Sequence, residues 1–317
     1  MNELRLMPIA KIVASLALSA AFTVAASAQD QGPPDVGPHP YVAPPKMESH
    51  IGNVVGHSDS PNAKYNFIRY CAGCHGERGD GQGENTPWLD PKPRDFTLGT
   101  FKCRSTPTGT LPTDEDLFNT IGRGLVNSNM PPWNTFSKQQ KADLVAYLKT
   151  FSPRWEKEKA GPPITIPPEP PVTIESISHG KYLFTQLECW KCHGPQGRGD
   201  GPSASTLTDN KDQPIRPYDF ADSPKDARFK CGVENRDIYK IFMTGLDGTP
   251  MPSFSDNIKP EDAWDLVHFI RILQVHRPGP ENKVLAAAHG VIPPYVEKNK
   301  QSEVEPASKS ASAMGNE

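Results

Sequence analysis

The chain has 317 residues, a formal net charge of −3, 36% hydrophobic residues and 35 prolines. That composition excludes one large dry core and points to small domains separated by Pro-rich linkers. The mildly acidic balance gives no signature of nucleic-acid binding or of attraction to an anionic membrane.

The N-terminus reads as an export leader. Arg5 and Lys11 supply positive charge, Ile12 to Ala26 is almost wholly apolar, and Ala26-Ser27-Ala28 is a small-residue cleavage signature. An apolar run of about 15 residues falls short of the ~20 needed to span a bilayer. Residues 1–28 are therefore expected to be removed, leaving 289 residues. The leader carries Arg5, Lys11 and Glu3, net +1, so its loss takes the charge to −4. The expected location is the periplasm. No Cys follows the apolar run, so a lipid anchor is not expected.

Residues 29–61 hold Gly32-Pro33-Pro34, Pro38, Pro40 and Pro44-Pro45 and are expected to form an extended arm. Residues 62–153 form a first domain. Residues 154–175 are a Pro-rich linker whose locked φ angles favour a semi-rigid spacer. Residues 176–276 form a second domain. The tail, 277–317, is Pro-rich and then Ser, Glu, Lys and Ala without core formers, and is expected to be disordered.

The two domains are tandem repeats. Tyr65-Asn66-Phe67 matches Tyr182-Leu183-Phe184, and Asp95-Phe96 matches Asp219-Phe220. Phe101-Lys102-Cys103 matches Phe229-Lys230-Cys231, and Met130-Pro131 matches Met251-Pro252. Gly79-Asp80-Gly81 pairs with Gly199-Asp200-Gly201. The second copy carries extra residues ahead of its Asp-Phe. Apolar residues recur at helical spacing in three places per repeat. These are the segment before each cysteine pair; Asp114 to Ile121, with Thr113 as N-cap, and its counterpart Arg236 to Met243; and Lys138 to Phe151 with its counterpart Pro260 to Gln274. No stretch shows clear strand alternation. The expected fold class is all-α.

Cys71-Ala72-Gly73-Cys74-His75 and Cys189-Trp190-Lys191-Cys192-His193 are two copies of C-x-x-C-H. Two thiols one helical turn apart can each add to one vinyl group of a single porphyrin. The next residue then sets an imidazole under the iron. Cys71, Cys74, Cys189 and Cys192 are the predicted attachment points for two covalent haem c groups, with His75 and His193 as iron ligands. A helical unit of about 100 residues has a marginal core, and a wrapped porphyrin would supply the missing apolar volume.

On these residues, with Met130-Pro131, Met251-Pro252 and the Gly-rich loops, each repeat resembles a class I cytochrome c domain and the pair resembles a dihaem cytochrome c. The resemblance implies two tandem all-helical domains, each wrapping one haem with His/Met ligation, and electron transfer. Met130 lies 55 residues after His75 and Met251 lies 58 after His193. Both precede Pro in a loop able to cross the haem face, and both are expected as distal ligands. Met243 is expected in the core. His268 has Ala146 as its counterpart, and His50, His57, His179 and His289 lie before a domain or near linkers. A bis-His site would have to come from among these.

Cys103 and Cys231 are the spare cysteines, at equivalent repeat positions, and three readings stay open. They form a disulfide in an oxidising compartment, they supply a thiolate distal ligand, or they are buried free thiols. Gly79, Gly81 and Gly83 lack the Lys-Ser/Thr and βαβ setting of a phosphate loop and are expected to let the chain turn against the haem. Arg94 and Arg216 are candidates for contact with haem propionates, and Trp88, Trp133 and Trp190 for packing near the porphyrin. Asp95 and Asp219 read as structural corners, and no catalytic residue is assigned.

The expected function is an exported carrier that passes single electrons between periplasmic or membrane-bound redox proteins. The alternative is a dihaem enzyme or the cytochrome subunit of an oxidoreductase complex, for example of thiosulfate-oxidising type. Enzymes of this kind need an open iron position, whereas each repeat offers a Met. The arm and tail raise docking to a membrane-bound complex as a further role.

Overall fold

In the computed structural model, the described residues are 44–221, 229–274 and 279–296. The expected leader, the first part of the arm and the end of the tail lie outside them. Among the described residues no helix is long and apolar enough to cross a membrane.

The first repeat opens with a hairpin of two four-residue strands, β1 (Glu48–Ile51) and β2 (Val54–His57), paired antiparallel with Glu48 opposite His57 and Ile51 opposite Val54. Helix α1 (Pro61–Tyr70) leads into the short α2 (Ala72–His75), which carries Cys74 and His75. Helices α3 (Asp114–Arg123) and α4 (Lys138–Lys149) complete the domain, and α5 (Arg154–Lys157) leaves it. Thr113 caps α3 as expected. Its hydroxyl accepts the Asp116 N–H at 3.1 Å, while the Asp116 carboxylate accepts the Thr113 N–H at 3.1 Å. Phe67, Leu117, Leu144 and Val145 form the buried centre.

The second repeat runs α6 (Ile174–Gln186), α7 (Trp190–His193), α8 (Asn235–Thr244) and α9 (Pro260–Leu273), followed by α10 (Pro280–Ala287). Helix α6 crosses α9 so closely that a Cβ on Gly180 would lie 1.9 Å from the Asp265 carbonyl oxygen. Only glycine permits that approach. Ile177, Ile238, Tyr239, Leu266 and Ile270 are the buried centre.

Three segments depart from the sequence-based expectation. The arm is not wholly extended, because its second half is the β1–β2 hairpin. The hairpin is anchored on α4 by Ser49 Oγ to Ala142 O (2.8 Å) and His57 N to the Asp143 carboxylate (3.0 Å). The linker is not a free spacer. Ile164, Ile166 and Val172 pack on the core of the second repeat, and the Trp264 indole donates to Pro167 O at 3.2 Å. The tail is not featureless either, since α10 places Val284 against that core. Proline density hid these segments, although Pro is well tolerated in the first turn of a helix, which is where Pro280 stands.

The repeats are joined by a disulfide between Cys103 and Cys231, 128 residues apart in sequence. Around it, buried Arg104 pairs with Asp247 at 2.8 Å and donates to Thr244 O. Asp247 also accepts from Thr108 Oγ1 (3.1 Å) and Gly109 N (3.0 Å). The extra residues of the second repeat reach back, so that Lys211 pairs with Asp95 at 2.7 Å.

Candidate functional site

In the first repeat the predicted residues converge. Cys71, Cys74, His75 and Met130 all line one apolar cavity with about 1270 Å³ of empty space, its open mouth included. Phe67, Phe96, Leu117 and Trp133 supply much of its apolar wall. Such a lining is what a large flat apolar cofactor requires.

Each helix that bears a C-x-x-C-H is a single turn, Ala72–His75 and Trp190–His193, and ends at Gly76 or Gly194. The His75 Nδ1 lies 3.0 Å from Arg94 O, and the His193 Nδ1 lies 3.0 Å from Tyr218 O. A carbonyl can only accept, so Nδ1 carries the proton in both rings. Burial pushes both imidazoles below their usual range, against the pull of those carbonyls. Each ring is therefore neutral with its Nε2 lone pair available, the tautomer an iron ligand needs. Phe96 stacks on His75 at 4.4 Å and Phe220 on His193 at 4.6 Å, fixing ring orientation.

Burial pushes the Cys71 and Cys189 thiols up to about 12. In the folded chain both are protonated.

The methionine loops are superposable in their bonding. Leu125 N donates to Met130 O at 3.0 Å, and Leu246 N to Met251 O at 3.1 Å. Met130 N donates to Ser128 Oγ and Met251 N to Thr249 Oγ1, each at 3.2 Å. Both loops begin at a positive-φ glycine, Gly124 (69°) and Gly245 (66°), pressed against the Met-Pro backbone. In the second repeat Cys189, Trp190, Met243 and Met251 pack partly buried on the core.

Cys103 also lines the first cavity, but its sulfur is bonded to Cys231. The disulfide occupies both thiols and leaves neither the thiolate-ligand reading nor the free-thiol reading. None of the alternative histidines lines the first cavity. His268 is fully buried behind the second repeat, with Nδ1 2.9 Å from Ser176 Oγ, and His179 Nδ1 meets Asp265 at 2.8 Å.

Other candidates separate. Trp133 lines the cavity, whereas Trp88 is 80% exposed. Arg94 lines it too, whereas Arg216 is exposed. The structural counterpart of Arg94 is Tyr218, because both give their carbonyl to the histidine. The Gly-Asp-Gly triplets are out of register by two residues. Gly81 N meets His75 O and Gly199 N meets His193 O, each at 2.8 Å, so Gly81 and Gly199 are equivalent. Asp80 and Asp200 nonetheless bring a carboxylate to the same place, beside Gly76 and Gly194.

Sequence reasoning missed two cations on the first cavity wall, Lys102 and Lys230. Burial pushes Lys102 down to about 7, with repulsion from Arg94 and Lys230 adding to it. Burial and Arg94 push Lys230 down to about 8. Neither the Arg94 guanidinium nor the Lys102 ammonium makes a hydrogen bond or ion pair with a described residue. Partly buried cations left without carboxylate partners fit an anionic edge, such as the propionates of a haem. Thiols, imidazole, thioether, apolar wall and cations together fit haem c.

Comparison with known proteins agrees. Residues 177–274 match the cytochrome c family, and residues 59–148 match the family described as cytochrome c oxidase, cbb3-type, subunit III. A solved chain of the reducing HAO-like protein complex of Kuenenia stuttgartiensis is 44% identical, with a TM-score of 0.65 over 68% of this chain and 96% of that one. Among curated proteins none matches significantly. The chain belongs to the c-type cytochromes, as a tandem of two cytochrome c domains. Such domains hold haem c covalently and transfer electrons.

Proposed function

We propose that the chain carries two haem c groups, one per repeat, and passes single electrons between protein partners outside the cytoplasm. When bound, haem c supplies one-electron exchange at its iron. The chain supplies the rest. Cys71 and Cys74, and Cys189 and Cys192, tether the group. His75 and His193 would ligate the iron through Nε2, their tautomers set by the Arg94 and Tyr218 carbonyls. Met130 and Met251 would supply a thioether, which favours the ferrous state. The aromatic wall excludes water. The observation that carries this reading is the convergence of Cys71, Cys74, His75 and Met130 on one apolar cavity.

The similar solved chain is part of a complex. That supports a role as the cytochrome subunit of, or electron partner to, a larger oxidoreductase, rather than as an enzyme acting on a small substrate. Residues 1–28 act in this reading as the export leader.

Intact-mass analysis tests it. The expected mass is the chain from Gln29 plus two haems, and the oxidised protein should show a near-infrared thioether–iron band for each. One haem per chain, or no thioether band, would sink the proposal.

A further inference from the structure

The cavity of the first repeat has one wall residue from the second, Lys230. The disulfide accounts for its position. Lys230 precedes Cys231 in a tight turn closed by Phe229 N to Gly232 O (2.8 Å) and Gly232 N to Phe229 O (3.2 Å). Phe229 and Cys231 are buried on either side. The bond to Cys103 presses this turn against the first repeat. There Lys230 Nζ donates to Asn127 O at 3.4 Å, in the loop that carries Met130.

Lys230 joins Lys102 and Arg94 on that wall. The acids that act on Arg94 are Asp209, Asp95 and Asp247. All three are engaged elsewhere. Asp95 pairs with Lys211, Asp247 with Arg104, and Asp209 accepts the backbone N–H groups of Lys211 and Gln213. The second repeat has Tyr218 where the first has Arg94. The described wall of the first cavity thus gathers the cationic side chains of Arg94, Lys102 and Lys230.

The geometry points to Lys230 as a potential-setting residue that the second repeat supplies to the haem of the first, held in place by the Cys103–Cys231 bond. This rests on the proposed function, since it needs a haem in each repeat. Below about pH 8, where Lys230 is protonated, its positive charge favours the state that has gained an electron. Lys230 then raises the potential of the first repeat's haem.

The test is potentiometric titration of holoprotein whose two haems have been verified by mass. Lys230→Gln should lower one midpoint, changing that haem's oxidised-to-reduced ratio at fixed potential by roughly threefold or more, and leave the other unmoved. Lys230→Arg should restore it. In a Met130→His background, the step that moves should be the one already displaced by that substitution. The double variant Cys103→Ser, Cys231→Ser should shift the same haem in the same direction, and adding Lys230→Gln should then change little. The inference is overturned if Lys230→Gln moves neither midpoint, if it moves the Met251 haem, or if Lys230→Arg shifts as far as Lys230→Gln. Should Lys230→Gln not fold, an unshifted Met130 haem in the disulfide-free protein overturns it equally. Loss of a haem by mass counts against the proposed function. Two haems with unmoved potentials count against this inference alone.

Discussion

In the first repeat the helix before C-x-x-C-H has 10 residues and starts at Pro61; in the second it has 13 and starts at Ile174. The missing turn is replaced by the β1–β2 hairpin, which lays Ser49, His57 and Ser60 on α4. In the second repeat the added turn brings Ile177 into the core, and the linker and α10 cover the rest. The faces that carry Cys, His and Met keep the same hydrogen bonds in both, while the backs are rebuilt from unrelated segments. On one side of the domain the carbonyls of Arg94 and Tyr218 set the imidazole tautomers. The other side has only to exclude water, which many packings achieve.

Removing the bond between the repeats should separate them most clearly. A loop of 128 residues is closed by the disulfide, and releasing it should cost up to about 5 kcal/mol on the chain-entropy account. In the Cys103→Ser, Cys231→Ser protein, thermal unfolding should split into two transitions, one per repeat. A single transition at an unchanged temperature would mean the bond contributes nothing.

The helix crossing distinguishes the repeats next. Gly180 corresponds to Ala63; Gly180 is pressed against α9, and Ala63 is fully buried. Gly180→Ala meets backbone and should cost roughly 3 kcal/mol. Ala63→Gly should cost about 1–2 kcal/mol through helix propensity and a lost buried methyl. Denaturant midpoints of the two variants would reveal a reversed order if the crossings were equivalent.

Met130→His and Met251→His should each lower one midpoint at least tenfold in redox equilibrium, roughly 59 mV for one electron, and spare the other. If neither shifts a midpoint, methionine is not the ligand.

The smallest effect lies between the repeats. Burial pulls the Asp95 carboxyl up, but hydrogen bonds from Lys211 and Thr97 outweigh it and hold it below its usual range. A lowered folded pKa contributes stability above the unfolded value, near pH 4, that is lost as pH falls through the folded one. Lys211→Met should remove most of that contribution, lowering stability at neutral pH by well under about 1 kcal/mol and flattening the loss that the wild type shows as pH falls below about 4. An unchanged acid limb in urea titrations at pH 3–5 would count against the bridge.

What could be read from sequence followed from how tightly chemistry constrains spacing. C-x-x-C-H, the paired Met-Pro and the Thr113 cap were legible because each is a local rule. The hairpin was not, since strands of four residues are too short to show alternation among prolines and histidines. The Gly-Asp-Gly pairing misled by two residues, because a carboxylate can reach Gly76 or Gly194 from either register. Lys230 was invisible because no spacing rule says that a lysine in one repeat will line the other's cavity.

The Cys103–Cys231 bond also reroutes mechanical force. Pulled from its ends, the protein carries tension along the chain to Cys103, across the sulfurs, and onward from Cys231. Residues 104–230 hang outside that load path, with the proline strap and the C-x-x-C-H turn of the second repeat among them. A protease that cuts the strap would leave the repeats as one molecule, and the two fragments would part only under reducing conditions.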